Sequence, residues 1–214
     1  VVLGGIGVKI KLAHFRLCNS RKSYLRAYPR ETQEMVFDAH SRAFEYYGGV
    51  PLKMIYDNPK TIVDAIFTGK KRKFNRRFLS LMNHYLVEPI ACTPAAGWEK
   101  GQVERQVGIM RYRLFVPKLR FADIAELNDW LEQRCEQMGE KPHPKDKDRS
   151  INTVFSEEQR ALRPAMSRFD GYYERICRVQ RTSIINYDRN QYSVPSTYVG
   201  KAVSVRAYAD RIRI

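Results

Sequence analysis

The spacing of apolar residues changes period several times along the chain, and each change marks an element. Residues 1–3 read as a short strand, and Gly4-Gly5 as a hairpin turn into residues 8–17. In that run the apolar parity is even at Val8, Ile10 and Leu12 and odd at Ala13, Phe15 and Leu17, which predicts a bulge or a strand covered on both faces. Residues 24–28 form a third strand closed by Pro29, so the opening reads as an antiparallel meander. The period then becomes helical over residues 31–47, where Met35, Val36, Ala39, Ala43, Phe44 and Tyr47 recur at three and four before Gly48-Gly49 stops the helix. Glu31, Glu34 and Asp38 suit the dipole at the start of that helix better than they suit a metal site. Residues 51–56 make a short strand that runs into Asp57-Asn58-Pro59.

Beyond the turn, residues 61–67 read as a strand and Thr68-Gly69 as a turn. Phe78, Leu79, Met82 and Tyr85 mark a helix over 76–85, and residues 87–92 a further strand. A helix from Trp98 or Glu99 to Leu114 buries Val103, Val107, Met110 and Leu114. Glu104 is the next residue round from that stripe, with Gly101 and Gly108 beside it and Arg111 two turns on. A last long helix spans 121–138. Residues 141–148, with two prolines and mixed charge, have linker chemistry; 153–162 is a short helical piece, and Arg163-Pro164 begins a second linker. From about Phe169 the composition turns to strand formers, over 173–179, 183–185, 191–194 and 202–208, with turns at 188–190 and 199–201; strands this short and close imply a small barrel. The expected division is an α/β core over 1–140, a linker with a short helix over 141–168 and a basic β-barrel over 169–214.

Charge turns this layout into a statement about partners. Lys and Arg number 38 against 23 acids, a net charge of +15, and an excess of that size favours a polyanion, nucleic acid first. A membrane is the competing partner, but no run of about 18 apolar residues exists and no segment reads as a basic amphipathic anchor. Cys18, Cys92, Cys135 and Cys177 lack zinc spacing and read as reduced thiols of a cytosolic protein. His14, His40, His84 and His143 are far apart in sequence and expected in packing or surface positions. The basic run Lys70-Lys71-Arg72-Lys73, continued by Arg76-Arg77, is either a solvated face or a phosphate contact, and the overall charge favours contact. Glu104 taken alone reads more readily as a surface acid pairing with Lys100 and Arg105 than as a catalytic residue.

Several strings in one order carry a resemblance that changes this balance. Tyr56-Asp57-Asn58, then Thr93-Pro94 and Gly101-Gln-Val-Glu104-Arg105, resemble the second and third acids of the DDE transposase and retroviral integrase superfamily, which has an RNase H-like fold. Gly97-Trp-Glu-Lys-Gly-Gln-Val-Glu-Arg105, with Gly48-Gly-Val-Pro51 and Tyr192-Ser-Val-Pro195, narrows the similarity to the IstA-type transposases of insertion sequences, over essentially the whole chain. The resemblance implies Asp57 and Glu104 as catalytic residues and ligands of a two-metal Mg²⁺ (or Mn²⁺) site, and a β-barrel after the core. It also implies cleavage of transposon ends and strand transfer into target DNA, an IstB-type AAA+ ATPase as helper, and a homo-oligomer on DNA. The family's first acid has no counterpart in the opening strand, since no Asp or Glu precedes Glu31, so the expectation is of a piece that is inactive by itself. Two alternatives are an RNase H-like nuclease without strand transfer and a non-catalytic DNA-binding fragment. The residues expected on the phosphate backbone are Lys70, Lys71, Arg72, Lys73, Arg76, Arg77, Lys100, Arg105, Arg111 and Arg113.

If the basic run binds phosphates, each cation removed from the backbone flattens the dependence of log K on log salt by about one unit. A variant with Lys70, Lys71, Arg72 and Lys73 all changed to Ala is expected to bind DNA with a visibly shallower slope. An unchanged slope in a filter-binding or anisotropy titration identifies the run as a solvated face.

Overall fold

The computed structural model describes residues 1–56, 62–66, 72–91, 112, 114–165 and 167–214. Its opening hairpin joins β1 (Val2–Leu3) to β2 (Ile6–Gly7) through Gly4 and Gly5 at φ 53° and 82°. The other edge of β1 is taken in parallel by β9 (Arg120–Phe121), with Val2 opposite Arg120. The expected three-strand meander is therefore two units, because β3 (Lys11–Arg16) pairs with β4 (Ser23–Tyr28) in a ladder of its own. That ladder is unbroken from Lys11↔Tyr28 to Arg16↔Ser23, so the parity switch after Leu12 is not a bulge.

Both faces of the hairpin are covered instead. Leu12, Leu25 and Ala27 pack with Leu127, Leu131 and Cys135 of α3 (Ile124–Gly139), while Ala13, Phe15 and Tyr28 pack with Met35 and Ala39 of α1 (Gln33–Tyr47). The result is a mixed α/β layer arrangement, helix on hairpin on helix, in which a doubly buried strand needs no simple alternation.

Helix α1 ends where expected: Gly48 adopts φ 65°, and the amides of Gly48 and Gly49 return to the carbonyls of Glu45 and Phe44. The chain then enters β5 (Lys53–Tyr56), which pairs in parallel with β8 (Glu88–Ala91) in register from Lys53↔Glu88 to Tyr56↔Ala91. Between them come the antiparallel pair β6 (Val63–Ile66) and β7 (Arg72–Phe74), and α2 (Arg76–His84). The basic run thus enters a strand, a placement its charge had hidden. Phe78, Leu81 and Met82 of α2 are fully buried and join Phe37, Phe44, Val50 and Tyr56 in one core.

The stretch with linker composition is tied down. His143 is buried, its Nδ1 accepts from the amide of Asp146 at 3.2 Å, and its Nε2–H therefore donates to the carbonyl of Asn19 at 3.0 Å. In the β3–β4 turn, the side chain of Lys22 is 3% exposed. Its ammonium reaches Glu136 at 2.7 Å and the amide oxygen of Asn152 at 2.8 Å, joining the β3–β4 turn to α3 and α4 (Ile151–Gln159). Gly139 permits this, since a Cβ there would stand 2.0 Å from the Asn152 oxygen.

The C-terminal part has its own core of Val179, Ile185, Val194 and Val205. Over it fold a three-stranded antiparallel sheet, β10 (Tyr173–Arg178), β13 (Ala202–Ala207) and β14 (Ile212–Arg213), and a hairpin of β11 (Ile184–Tyr187) and β12 (Asn190–Ser193). Asp188 and Arg189, both at positive φ, make the two-residue hairpin turn. A 3₁₀ turn at Ser196–Tyr198 leads into β13.

Two histidines are held neutral in these layers. Burial lowers both His14 and His40 to about 4, with the Arg16 charge adding to the effect at His14. The unfolded chain takes up protons at these rings below about 6.5 while the folded protein does not until about 4, so stability rises with pH across that window. Urea midpoints measured from pH 4.5 to 7 are expected to climb, and His14→Gln is expected to flatten the climb. A midpoint independent of pH over this range contradicts the burial of both rings.

Candidate metal-binding edge and nucleic-acid interface

Two parallel strands that end side by side define an edge. Tyr56 and Ala91 are register partners at the C-terminal ends of β5 and β8, and the segments leaving those ends begin at Asp57 and Cys92. Strand ends of this kind are where α/β sheets carry their ligands, because the loops there are free to vary while the sheet holds their roots. Tyr56 itself points into the core. Its hydroxyl stands 3.0 Å from Nε2 of His40, and its ring meets Phe78 edge-on at 5.1 Å.

The two acids predicted to bind metal, Asp57 and Glu104, lie outside the described residues. So do Lys70, Lys71, Lys100, Arg105, Arg111 and Arg113 among the predicted DNA contacts, while Arg72 is placed by its backbone in β7. Among the described residues no group of three or more His, Cys, Asp or Glu is placed to hold a metal ion. Both expected ligands are carboxylates, hard oxygen donors of the kind Mg²⁺ selects, so the donor chemistry fits that cation. The acids at the start of α1 are engaged elsewhere. Glu31 pairs with Lys11 at 3.1 Å, and the largely buried Asp38 accepts from the Tyr28 hydroxyl at 2.6 Å, from Nε of Arg42 at 3.0 Å and from Arg168, with Arg26 at 3.5 Å.

Three predicted contacts are described. Lys73 and Arg76 are exposed, and Arg76 and Arg77 occupy the first turn of α2, where Asn75 caps the amides of Arg77 and Phe78. Two cations at the positive end of a helix dipole work against helix stability, and an anion docked there would relieve the conflict. The structure divides the pair, because the Arg77 guanidinium lies 5.3 Å from the Phe37 ring centroid and has a packing role of its own.

Sequence reasoning marked the C-terminal strands as basic without saying which face carries the charge. On the three-stranded sheet, strand alternation and register put Glu174, Ile176 and Arg178 of β10 on the same side as Ser204 and Arg206 of β13 and Arg213 of β14. Glu174 accepts from Ser204 at 2.6 Å and pairs with Arg206 at 3.4 Å, which draws its carboxyl below the usual range. Arg206 and Arg213 are direct cross-strand partners, a like-charge pairing that costs stability when nothing lies between them. Arg206 also stacks on Tyr172 at 4.6 Å, and Arg211 on Tyr208 at 4.2 Å. Ile176 stays 64% exposed at the centre of the face. The signal available in the sequence was the alternation of Glu174, Ile176 and Arg178, but which side faces out needs the core beneath it.

Residues 164–214 match the family model described as Mu transposase, C-terminal domain. The chain is 44% identical over 212 residues to a transposase of Aminobacter aminovorans, covering 99% of this chain and 42% of that protein. It is 42% identical to the transposase for insertion sequences IS1326/IS1353 of Pseudomonas aeruginosa, over 98% of this chain and 41% of the relative. To the transposase for insertion sequence element IS21 of Pseudomonas aeruginosa it is 33% identical, over 100% of this chain and 55% of the relative. The chain therefore spans about half the length of the curated relatives it matches. Among solved structures, the simian T-cell lymphotropic virus intasome in complex with PP2A regulatory subunit B56 gamma aligns at 14% identity and a TM-score of 0.48, over 91% of this chain and 77% of that one. That likeness is too distant to assign the fold.

If the outer face of the C-terminal sheet holds a phosphate backbone, changing Arg178, Arg206 and Arg213 together to Ala lowers the slope of log K against log salt by about 0.9 for each phosphate that is no longer neutralised. The melting temperature is expected to stay near wild type, because relief of the Arg206–Arg213 conflict is offset by loss of the Arg206 contacts with Glu174 and Tyr172. A slope equal to wild type excludes the face as a DNA-binding surface.

Proposed function

Because the chain belongs to the insertion-sequence transposases of the IstA type, we propose that it carries the part of a DDE transposase that cleaves transposon ends and joins them to target DNA. In this reading residues 1–140 belong to an RNase H-like core, 141–168 connect, and 169–214 form a small basic β-barrel. The observation that supports it best is the shared edge of β5 and β8, since the chain enters Asp57 and the segment bearing Glu104 from register partners. Helix α2 between two parallel strands and the α1–hairpin–α3 layering agree with such a core.

Asp57 and Glu104 would hold the divalent cations. When bound, such cations activate water and then a DNA 3′-OH, and stabilise the departing oxygen. The rest falls to side chains of the chain. Lys73, Arg76 and the arginines of the C-terminal sheet neutralise and seat the phosphate backbone without reading bases. The helper would be an IstB-type AAA+ ATPase, and the active species a homo-oligomer assembled on DNA. No described helix is long and apolar enough to cross a membrane.

The test is Asp57→Asn and Glu104→Gln in the full-length protein, each assayed for DNA binding and for cleavage and joining of transposon-end DNA in Mg²⁺. Each amide keeps the size of its acid and removes its charge, so binding, which rests on the basic surface, is expected to survive. Chemistry is expected to fall by about two to three orders of magnitude, as a loss of about 3–4 kcal/mol of transition-state stabilisation dictates. Joining by Glu104→Gln at near wild-type rate removes Glu104 from the site and makes Glu99 the next residue to test.

A further inference from the structure

The core contains one polar pair whose position, rather than its packing, calls for an explanation. His40 of α1 is 2% exposed. Its Nδ1 stands 2.7 Å from the carbonyl of Val36, which accepts only, so Nδ1 carries the proton. A neutral ring then offers Nε2 as an acceptor, and the Tyr56 hydroxyl donates to it at 3.0 Å. The sulfurs of Met54 and Met82, each 3.3 Å from the same hydroxyl, are weaker acceptors and do not compete for its single proton. The Tyr56 ring meets Phe78 edge-on at 5.1 Å and the His40 ring at 5.6 Å.

A phenylalanine and a leucine would fill this space at no cost in polar burial. A hydroxyl and an imidazole placed there stay stable only while they satisfy each other, and in return they fix a direction that apolar packing leaves free. Tyr56 is the last residue of β5, held opposite Ala91 of β8, and one peptide step of about 3.8 Å separates its Cα from that of Asp57.

We propose that His40 and Tyr56 are positioning residues that fix, from α1, the point at which the chain leaves β5 for Asp57, and so set the Asp57 carboxylate for metal binding. The proposal rests on the reading of Asp57 as a metal ligand. The hydrogen bond ties the end of the strand to the helix behind it. Removing the bond leaves the ring in its pocket but frees this end. Losses at outer-shell partners of metal ligands are commonly about 10–100-fold in affinity or activity, and an indirect tether belongs at the lower end of that range.

The experiment uses the full-length protein with Tyr56→Phe, His40→Leu and His40→Gln, the last able to place an amide oxygen where Nε2 stands. Four quantities are read: the melting temperature, KM for transposon-end DNA, kcat, and Mn²⁺ affinity by calorimetry in the absence of DNA. Tyr56→Phe and His40→Leu are expected to remain folded with KM unchanged, and to lose about 10-fold in both kcat and Mn²⁺ affinity. His40→Gln is expected to recover most of that loss. Wild-type Mn²⁺ affinity and kcat in Tyr56→Phe, or losses confined to the melting temperature, overturn the proposal and leave the pair as packing. Asp57→Asn run alongside separates the two readings. If it binds Mn²⁺ and cleaves normally, Asp57 is not a ligand; if it is dead while Tyr56→Phe is unaffected, only the positioning role falls.

Discussion

Helix α1 is the constraint on which the rest of the structure depends. It buries Met35, Phe37, Ala39, His40, Ser41, Ala43, Phe44 and Tyr47, more than one apolar stripe, and its residues enter three of the core clusters. Phe37 and Phe44 pack on α2 and β5, Ala43 and Tyr47 on Tyr24 of the hairpin, and Met35 and Ala39 on Tyr28. At about 1.5–3 kcal/mol for each large apolar side chain buried, this one helix accounts for a large share of the driving force. Because it is enclosed, its polar side chains must find partners inside. Ser41 donates to the carbonyl of Phe37 and accepts from the Tyr85 hydroxyl, and His40 is satisfied by Val36 and Tyr56.

Buried charge is handled by the same rule at two knots. Around Asp38 gather three arginines from β4, α1 and the segment before the C-terminal sheet, so a single carboxylate links three parts of the chain. Around Lys22 gather Glu136, Asn152 and the rings of Tyr46 and Phe155. At Glu136, burial raises the carboxyl, but the hydrogen bonds from Lys22 and Tyr46 and the Lys22 charge outweigh it and lower the group overall. Pairs like these add little net stability over apolar packing, and the cost of breaking one falls on the buried member, Lys22 or Asp38, because Glu136 and Arg168 keep access to water. Their effect is on specificity: they fix which turn meets which helix.

Conflicts left standing elsewhere contrast with this care. Arg76 and Arg77 oppose the α2 dipole, and Arg206 faces Arg213 across a ladder. Both costs are small, a fraction of a kcal/mol to about 1 kcal/mol each, and both disappear when a phosphate lies against the arginines. On the proposed reading, local rules broken on the surface beside a strongly basic field mark the places where a polyanion would contribute to the folded state.

Much of this was legible in the chain. The helical period of residues 31–47 and its Gly48 stop, the strand before Asp57, the helix at 76–85 and the short C-terminal strands all follow from local spacing, because each element buries a face whose period is set by backbone geometry. The strings around Asp57 and Glu104 and the net charge pointed to a family and a partner without any coordinates. Tertiary structure decided the rest. Whether Ala13 followed Leu12 across a bulge or across a doubly covered strand depended on α3, more than a hundred residues away. Local sequence did not mark Lys22 as buried, which Glu136 and Asn152 decide, and it left His40 in a packing or surface position until its ring met the residue before Asp57. The outward side of Arg178, Arg206 and Arg213 could be assigned only once Val205 and Ile185 fixed the inward one. Local pattern reports the period of a face, but a partner distant in sequence decides what covers it, and that is a property of the fold alone.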